Sequence, residues 1–541
     1  MPTETINTSG KTYRKPTRVF EKSGLVIPDM SYYVPLENVV NSDKQDIKTM
    51  VDRGRYFSIF APRQSGKTTF LTQTCMQLHE DPAYAAITLS FQDNIDLDKT
   101  QFYALIERYL YSQLINRLVE VKCEKIEAVK EFLDNHHLVD HISFKLLFED
   151  LNHILQFKKI VIFIDEFDGI PKSELGNFLT SLRELYQKYK GVKQKALYSV
   201  GLVGIRNITK LVVGGVSPFN IADQVTLPPF TLENVRDLYA QYTEETNQPF
   251  TAAAVKKLHE ETSGQTWLVN RLGTILTVDV KPGTVDPIDE KDVEKAIQIL
   301  LYEKNDHFDN LYEKAKLYKE TFVEIVFDNV KYRTENEDQS WLEQYGLIKK
   351  KESNAVVANN IYKRRFTGTF FDEAGIDDNI AAQRGVLPGG ILDMDNILLD
   401  FARYISQIGV RAFYTGGKAY EKTGQFLLTA WLYQFVKDGQ GELRYEMVSG
   451  LGRMDVILTY QGKKYIIETK VNHYDVNQVI KEGILQLSGK YLVTEDEPWG
   501  YLVVFDTRTP VGAVCEPKIL PVGDKRVTTF TIAIGSASSP V

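Results

Sequence analysis

The sequence predicts a multidomain α/β protein, and three observations carry that prediction. An apolar strand runs straight into Pro62-Arg63-Gln64-Ser65-Gly66-Lys67-Thr68, apolar strands then alternate with longer helices, and a strand-rich block far downstream holds Asp455 and Glu468-Thr469-Lys470. At 541 residues the chain exceeds one ordinary core, and roughly three to five domains is the expectation. The composition, 43% hydrophobic and 25% charged, is that of a folded soluble chain.

Taken in order, residues 1–12 are polar and expected to be disordered, and 13–50 read as an irregular lead-in with short apolar stretches, giving a tail and lead-in over 1–40. Arg55–Ala61 reads as a strand, followed by a helix from about Lys67 to His79, a strand at Ala86–Phe91 and helical sequence from about 98 to Phe157. Lys159–Ile164 is apolar almost throughout, the pattern of a strand covered on both faces of a parallel sheet, and it ends in Asp165-Glu166. A helix at about 174–190 precedes the strand Ala196–Gly204, completing a doubly wound core over 41–235.

Residues 236–300 are helical and more polar. Over 301–370, helical periodicity, the segment Trp341–Ile348 and a short strand pair reaching Tyr362 give the order of a winged helix. Residues 371–394, with Asp-Asp and Gly-Gly pairs and Pro388, read as a linker. The last domain, 395–541, opens with helices to about Val436. Strand-like runs follow at 442–448, 453–460 and 464–471, then a helix at about 476–490, strands at Gly500–Phe505 and 527–534, and a Ser/Pro-rich tail. No fixed-period repeat points to a solenoid.

A Gly-rich turn between strand and helix surrounds phosphates with backbone N–H groups and the positive end of the helix. Arg63, Gln64, Ser65, Gly66, Lys67, Thr68 and Thr69 are the candidate nucleotide ligands, with Lys67 supplying a mobile charge and Thr68 placed to hold Mg2+. Ala61 stands where the full pattern has glycine. Asp165, at the ligand-bearing edge of its strand, is placed to hold the Mg2+ hydration shell, and Glu166 to orient or deprotonate the attacking water. The bland alternatives are a plain strand-to-helix turn and an acidic pair that caps a helix. Arg206, just beyond the strand ending at Gly204, is placed to sense the terminal phosphate or to serve a neighbouring subunit; an ordinary surface arginine is the alternative for it and for Arg63.

In the last domain, Glu468 and Lys470 are two residues apart on one strand and so share a face. Asp455, near the start of the preceding strand, is expected opposite Glu468. Two carboxylates there would hold Mg2+, or alternatively Mn2+, against a scissile phosphate, with the Thr469 carbonyl as a further ligand. Lys470 would orient or activate water or stabilise developing charge, and Glu421 on the preceding helix and Gln486 on the following one would reach the metal or the water. The alternative is that these are solvent-facing strand and helix residues.

The stretches Ala61–Thr68, Ile164-Asp165-Glu166-Phe167-Asp168, Ser217–Ala222 and Gly264–Asn270 resemble the AAA-like P-loop ATPases, close to the AAA+ and STAND superfamilies. That resemblance covers about 15–365 and implies an ATPase core, a helical lid and a winged helix, with the Walker B position at Asp165, the general base at Glu166 and a sensor arginine at Arg206. Residues 396–510 look like the PD-(D/E)XK nuclease fold, of order αβββαβ. The resemblance puts its metal positions at Asp455 and Glu468, its lysine at Lys470, its first-helix acid at Glu421 and its helix glutamine at Gln486, while Met454 replaces the proline of the family name. Together the resemblances imply an α/β multidomain chain: a P-loop NTPase parallel sheet with helical lid and winged helix, then a PD-(D/E)XK-like α/β nuclease domain. They imply an ATP-regulated, Mg2+-dependent nuclease acting on DNA, of a kind linked to mobile elements or phage defence.

The net charge of −8 argues against a surface-wide nucleic-acid coat and leaves room for local basic surfaces. Lys349-Lys350-Lys351 and Lys363-Arg364-Arg365 flank the expected wing, and Lys188, Lys190, Lys193 and Lys195 form another run; solvated faces are the alternative. Three cysteines and eight histidines lack zinc-site spacing, and His473 reads as a turn residue. No apolar run spans a bilayer and the start has no leader pattern, so a cytoplasmic protein without a membrane partner is expected, with homo-oligomerisation open. Two rival functions stand: an ATP-switched regulatory or binding protein with an inactive nuclease-like domain, and a chaperone-like oligomer acting on peptide.

Overall fold

A computed structural model describes residues 12–535 except 93–95, 156–157, 193–194, 206–220, 328–329, 374–384, 388–389, 409–413, 416–417, 420, 437–440, 450–451, 511–512 and 514–515. The chain divides into two compact units, Met1–Lys319 with Tyr332–Tyr362, and Glu320–Lys331 with Lys363–Val541.

The first unit is built on a parallel sheet of β1 (Phe57–Phe60), β2 (Tyr84–Ser90), β3 (Lys159–Asp165), β4 (Leu197–Gly204) and β5 (Asp223–Thr226), in the order β2-β3-β4-β1-β5. β4 is buried along its whole length and β3 beyond its first residue, because helices cover both faces. On one face Phe102, Leu110, Phe144 and Phe178 pack on Ile162, Ile164 and Val200; on the other Met50, Leu71 and Leu78 pack on Ile59, Val161 and Val203. The sequence does not predict β5, whose four residues include a single buried side chain, Val225. It is fixed instead by a bidentate pair, Arg55 Nε and Nη2 each 2.8 Å from an Asp223 carboxylate oxygen.

The lead-in is not a loose tail where it is described. Phe20 is buried against Tyr32, Tyr239 and Tyr242, at centroid distances of 4.7, 5.4 and 5.8 Å. The Glu245 carboxylate gathers Thr17 by its amide (2.6 Å) and hydroxyl (2.5 Å), the Tyr32 hydroxyl (2.7 Å) and the Arg18 guanidinium (3.4 Å). Burial alone would raise this carboxyl, but the hydrogen bonds from Thr17, Tyr32 and the Arg18 amide hold it down at about 2. The result is a strap tied to the helix Leu232–Thr246.

Helices Leu232–Thr246, Ala252–Thr262, Thr266–Thr274 and Glu290–Tyr302 form the helical part of this unit, followed by Asp306–Leu317, Glu337–Gln344 and the hairpin β6 (Ile348–Lys351) and β7 (Asn354–Val357). Gly346 has φ +76° and lies so near the phosphate loop that a Cβ there would come 2.6 Å from Pro62 Cγ. Helix Lys319–Phe327, which the sequence places in the same small unit, belongs to the second compact unit from Glu320 onward.

The second unit contains two short ladders, β8 (Val386–Leu387) with β9 (Ile391–Leu392) and β10 (Tyr414–Thr415) with β11 (Lys418–Ala419), and one six-stranded sheet. The large sheet comprises β12 (Gly441–Ser449), β13 (Gly452–Tyr460), β14 (Lys463–Asn472), β15 (Trp499–Pro510), β16 (Lys518–Val522) and β17 (Lys525–Gly535), ordered β12-β13-β14-β15-β17-β16. β12, β13 and β14 pair antiparallel, and β14, β15 and β17 parallel. Helices Met394–Ile408 and Glu421–Tyr433 contribute Phe401, Leu428 and Trp431 to the core against Val456, Ile467 and Phe505. Helix Val476–Gln486 covers the opposite face over Ile466, Leu502 and Val504. Among the described residues no helix is long and apolar enough to cross a membrane.

Candidate nucleotide site and carboxylate strand

β1 ends against β4 and β5, and the chain turns at Gly66, in the left-handed region at φ +85°, into the helix Lys67–His79. That helix has no side-chain cap, so its first amides stay available for an anion. Ala61 does not adopt a positive φ; it is buried in the core below the loop, which is why alanine is accommodated where the full pattern has glycine. Gln64 supplies the left-handed turn instead, at φ +56°.

Lys67 Nζ donates to the carbonyls of Ala61 (3.0 Å) and Pro62 (2.5 Å), and Ser65 Oγ also donates to Pro62 O (2.8 Å). Burial pulls the Lys67 ammonium down to about 8 against the opposing pull of Asp165, Asp168 and Glu166. Thr68 Oγ1 donates to Asp165 Oδ2 at 2.9 Å, across the gap between the loop helix and β3. Asp165 is buried at the strand end, and its other oxygen accepts the Glu166 amide at 2.9 Å. Glu166 itself has φ +51°. Two residues on, Asp168 Oδ2 accepts the Ile205 amide at 2.7 Å and so ties this turn to the end of β4.

The structure thus brings Lys67, Thr68, Asp165 and Glu166 into one place. Arg63 and Gln64 extend their side chains into solvent from the loop, and Thr69 Oγ1 accepts the Val26 amide at 3.2 Å. Arg206 and most of Ser217–Ala222 lie outside the described residues. Among the described residues no group of three His, Cys, Asp or Glu side chains is placed to hold a metal ion. The oxygens of Thr68 and Asp165 are a donor set suited to Mg2+ that takes its other ligands from phosphate and water.

Beside the loop opens a cavity of about 130 Å³, which sequence reasoning missed. Its walls come from three distant stretches: the strap through Lys22, Val26 and Val34, the loop helix through Thr69 and Phe70, and the helical part through Phe230, Leu238, Trp267 and Asn270. The helix Thr266–Thr274 is joined to the loop where Thr266 Oγ1 (2.9 Å) and Gln265 Nε2 (3.3 Å) donate to Gln64 O. Trp267 Nε1 donates to Lys22 O in the strap at 2.9 Å, and its ring stacks on His307 at 4.2 Å. The only sequence signal for this wall is Gly264–Asn270, which carries no phosphate chemistry of its own.

In the second unit, β14 carries Glu468 and Lys470. Glu468 is fully buried, and Lys470 Nζ donates to Glu468 Oε1 at 2.6 Å. Val456 pairs with Ile467, so Asp455 and Glu468 are the next residues along their two strands; the side chains of Asp455 and Glu421 lie outside the described residues. Gln486 Nε2 donates to the hydroxyl of Tyr491, whose ring is in the core beneath helix Val476–Gln486. His473 Nδ1 is 3.4 Å from Thr507 Oγ1 at the strand end.

The basic runs are thinner than their sequence suggests. Lys349 is partly buried and donates to Ser263 Oγ at 2.8 Å, which leaves Lys350 and Lys351 as the exposed members of its run. Lys188 pairs with Glu149 at 2.8 Å, and Lys195 is buried with its ammonium over the rings of Tyr186 and Tyr198. Lys193 lies outside the described residues. Burial over aromatic faces makes Lys195 a packing residue, a correction to its expected role on a solvated or phosphate-facing surface.

The model of the AAA-like domain family matches residues 22–368. No curated protein matches the chain in sequence. Among solved structures, the Walker-type ATPase of Pyrococcus abyssi is 12% identical over 62% of this chain and 98% of its own, with a TM-score of 0.42. The ORC2 protein of Aeropyrum pernix is 12% identical, covering 62% and 97%, with a TM-score of 0.34. The RuvB Holliday junction branch migration motor of Thermotoga maritima is 13% identical, covering 59% and 90%, with a TM-score of 0.31.

Proposed function

Because the chain belongs to the AAA-like domain family, we propose that its first unit binds and hydrolyses ATP and that the nucleotide state controls a Mg2+-dependent nuclease in residues 395–541, acting on DNA. The carrying observation is the 2.9 Å bond between Thr68 Oγ1 and Asp165 Oδ2 beside Lys67, three groups from two distant segments converging where a triphosphate and its metal would lie. Mg2+ would supply charge neutralisation for the phosphates. Lys67 leaves its own loop carbonyls to meet them, Glu166 takes the proton of the attacking water, and the strap and helical part exclude solvent from the base.

The nuclease half is supported by the placement of Glu468 and Lys470 on β14, with β13 antiparallel on one side and β15 parallel on the other, between helices Glu421–Tyr433 and Val476–Gln486. In this reading Asp455 and Glu468 hold the metal, with Mn2+ as an alternative, Lys470 acts on the water, and Glu421 and Gln486 are accessory. Residues 301–370 form a winged helix that presents Lys350 and Lys351 to phosphates, Arg206 serves as a sensor, and phage defence or mobile-element biology is the setting. The complete burial of Glu468 under Lys470 favours a second reading, an ATP-switched regulatory protein whose nuclease-like sheet is inactive.

The deciding experiment incubates DNA and RNA substrates with Mg2+ or Mn2+, with and without ATP, using wild type, Lys67→Ala and Lys470→Ala. Loss of cleavage in both variants, with Lys470→Ala shown by circular dichroism and urea unfolding to be folded under the assay conditions, supports coupling. Loss in Lys470→Ala alone leaves an autonomous nuclease, and cleavage that survives Lys470→Ala, or is absent in wild type, removes the nuclease assignment.

A further inference from the structure

We propose that Tyr474 stacks on an unpaired base of a DNA strand whose phosphate is met by Arg508, at the end of the strand that carries Glu468 and Lys470. The proposal rests on the nuclease reading above and adds to it the form of the substrate, single-stranded where it meets this edge of the sheet.

Glu468, Lys470 and Asn472 are alternate residues of β14 and share a face. The strand ends at Asn472. Tyr474 follows two residues on, so its Cα lies no more than about 15 Å from that of Lys470. Its side chain is 84% exposed, the most exposed of the large hydrophobic side chains among the described residues. Exposure of one ring is ordinary; the way its backbone is held is not.

Both backbone groups of Tyr474 are taken up by side chains. Its amide donates to Asn472 Oδ1 at 3.0 Å, and its carbonyl accepts from Arg508 Nη1 on β15. Asn472 is itself buried and fixed across the β14–β15 pair, where Nδ2 donates to Asp506 Oδ1 at 2.7 Å and the Asn472 carbonyl accepts from Thr507 Oγ1 at 2.7 Å. Two strands thus anchor the main chain while the ring faces solvent. A ring on a fixed backbone loses little freedom when a ligand covers it.

The surroundings select the ligand. His473, Asp475, Asn477 and Arg508 are all exposed beside the ring, a polar setting unlike the apolar centre of a protein interface. The carboxylates there are engaged: Asp506 takes bonds from Asn472, Thr509 and the Arg508 amide, and Asp475 accepts the Asn477 amide at 2.9 Å. Among the described residues the Arg508 guanidinium makes one hydrogen bond, to Tyr474 O, so most of its donors remain for phosphate oxygens. An aromatic face beside a cation suits a nucleotide. Every base offers a face to stack, but only an unpaired base can bring it to a protruding ring, which favours a single strand over an intact duplex.

The test measures fluorescence anisotropy of a labelled oligothymidylate with the full chain in EDTA, so that no strand is cut. Tyr474→Ala is expected to weaken binding about tenfold and Tyr474→Phe less than about twofold, while affinity for a relaxed closed circular duplex is unchanged in both. Arg508→Gln is expected to reduce the slope of log affinity against log salt by about 0.7, the share of one phosphate on a single strand. Circular dichroism confirms that each variant is folded. Unchanged single-strand affinity in Tyr474→Ala, an equal loss on the closed duplex, or a Tyr474→Phe as weak as Tyr474→Ala overturns the stacking role and leaves the nuclease reading standing. An unchanged salt slope in Arg508→Gln overturns the phosphate contact. Binding that keeps its dependence on Tyr474 without any cleavage in Mg2+ or Mn2+ removes the nuclease reading and leaves the docking site, and failure of wild type to bind any DNA overturns both.

Discussion

The two charge constellations of this chain are built in opposite ways. Around Lys67 the functional groups come from separate segments, the loop, the end of β3 and the turn that follows it, and meet through hydrogen bonds that hold them in place while leaving Thr68 exposed. On β14, Glu468 and Lys470 are neighbours on one face of one strand, and the carboxylate is wholly buried under the ammonium. The first arrangement keeps a hydroxyl at the surface beside its charges, while the second sets its carboxylate where solvent does not reach. A Glu-x-Lys spacing therefore guarantees proximity but not access, whereas a phosphate loop joined to a strand-end aspartate provides both.

The largest expected effect breaks the buried pair. Lys470→Ala leaves a buried carboxylate without its ion partner and should destabilise the second unit by about 3–5 kcal/mol in urea unfolding, whereas Lys470→Ala combined with Glu468→Leu should recover most of that loss. An unchanged midpoint in Lys470→Ala would show that the pair is not structural and would return weight to catalysis. Next in size, Lys67→Ala should weaken Mg2+·ATP binding by about 1.5–3 kcal/mol, roughly 10- to 100-fold, with little change in unfolding, because its ammonium is held by its own loop rather than by the core. Calorimetric titration measures the first quantity and denaturation the second.

The smallest effect concerns the strap. The Glu245 carboxyl is depressed from 4.5 to about 2, so its stabilising bonds are fully present above the ordinary value and are lost as the pH falls from about 4.5 through about 2. Emission of Trp267, taken against a Trp267→Phe blank, should report release of the strap across that window, because its indole donates to Lys22 O. Glu245→Gln should weaken strap docking by about 1 kcal/mol at neutral pH and abolish the acid transition. A transition that persists in Glu245→Gln would place its origin elsewhere.

How much of this was legible follows from the range of the interactions. Lys67 with Thr68, and Asp165 at the end of an apolar run, are local signals, since the strand, the turn and the charge are adjacent in the chain, and the structure joins them. β5 was not legible because Asp223–Thr226 owes its place to Arg55, far earlier in the sequence. The cavity was not legible because its wall is assembled from the strap, Phe70 and Trp267, which are far apart in the chain. Lysine runs were over-read for the same reason in reverse, since Lys195 and Lys349 look like surface charge until Tyr186, Tyr198 and Ser263 are seen beneath them. In the second unit β12 to β15 and β17 were legible from their apolar runs, but β16 and the short ladders β8–β9, inside the expected linker 371–394, and β10–β11 were not, nor was the depth of Glu468, because burial depends on what covers a face.

The strap also changes where a functional boundary lies. Trimming the chain to begin just before the first strand would spare every phosphate-loop residue, yet it would remove Lys22, Val26 and Val34 from the cavity and strip Glu245 of its partners. Such a shortened protein would still carry the whole loop while losing one wall of the cavity beside it, so a loop motif alone marks too small a unit.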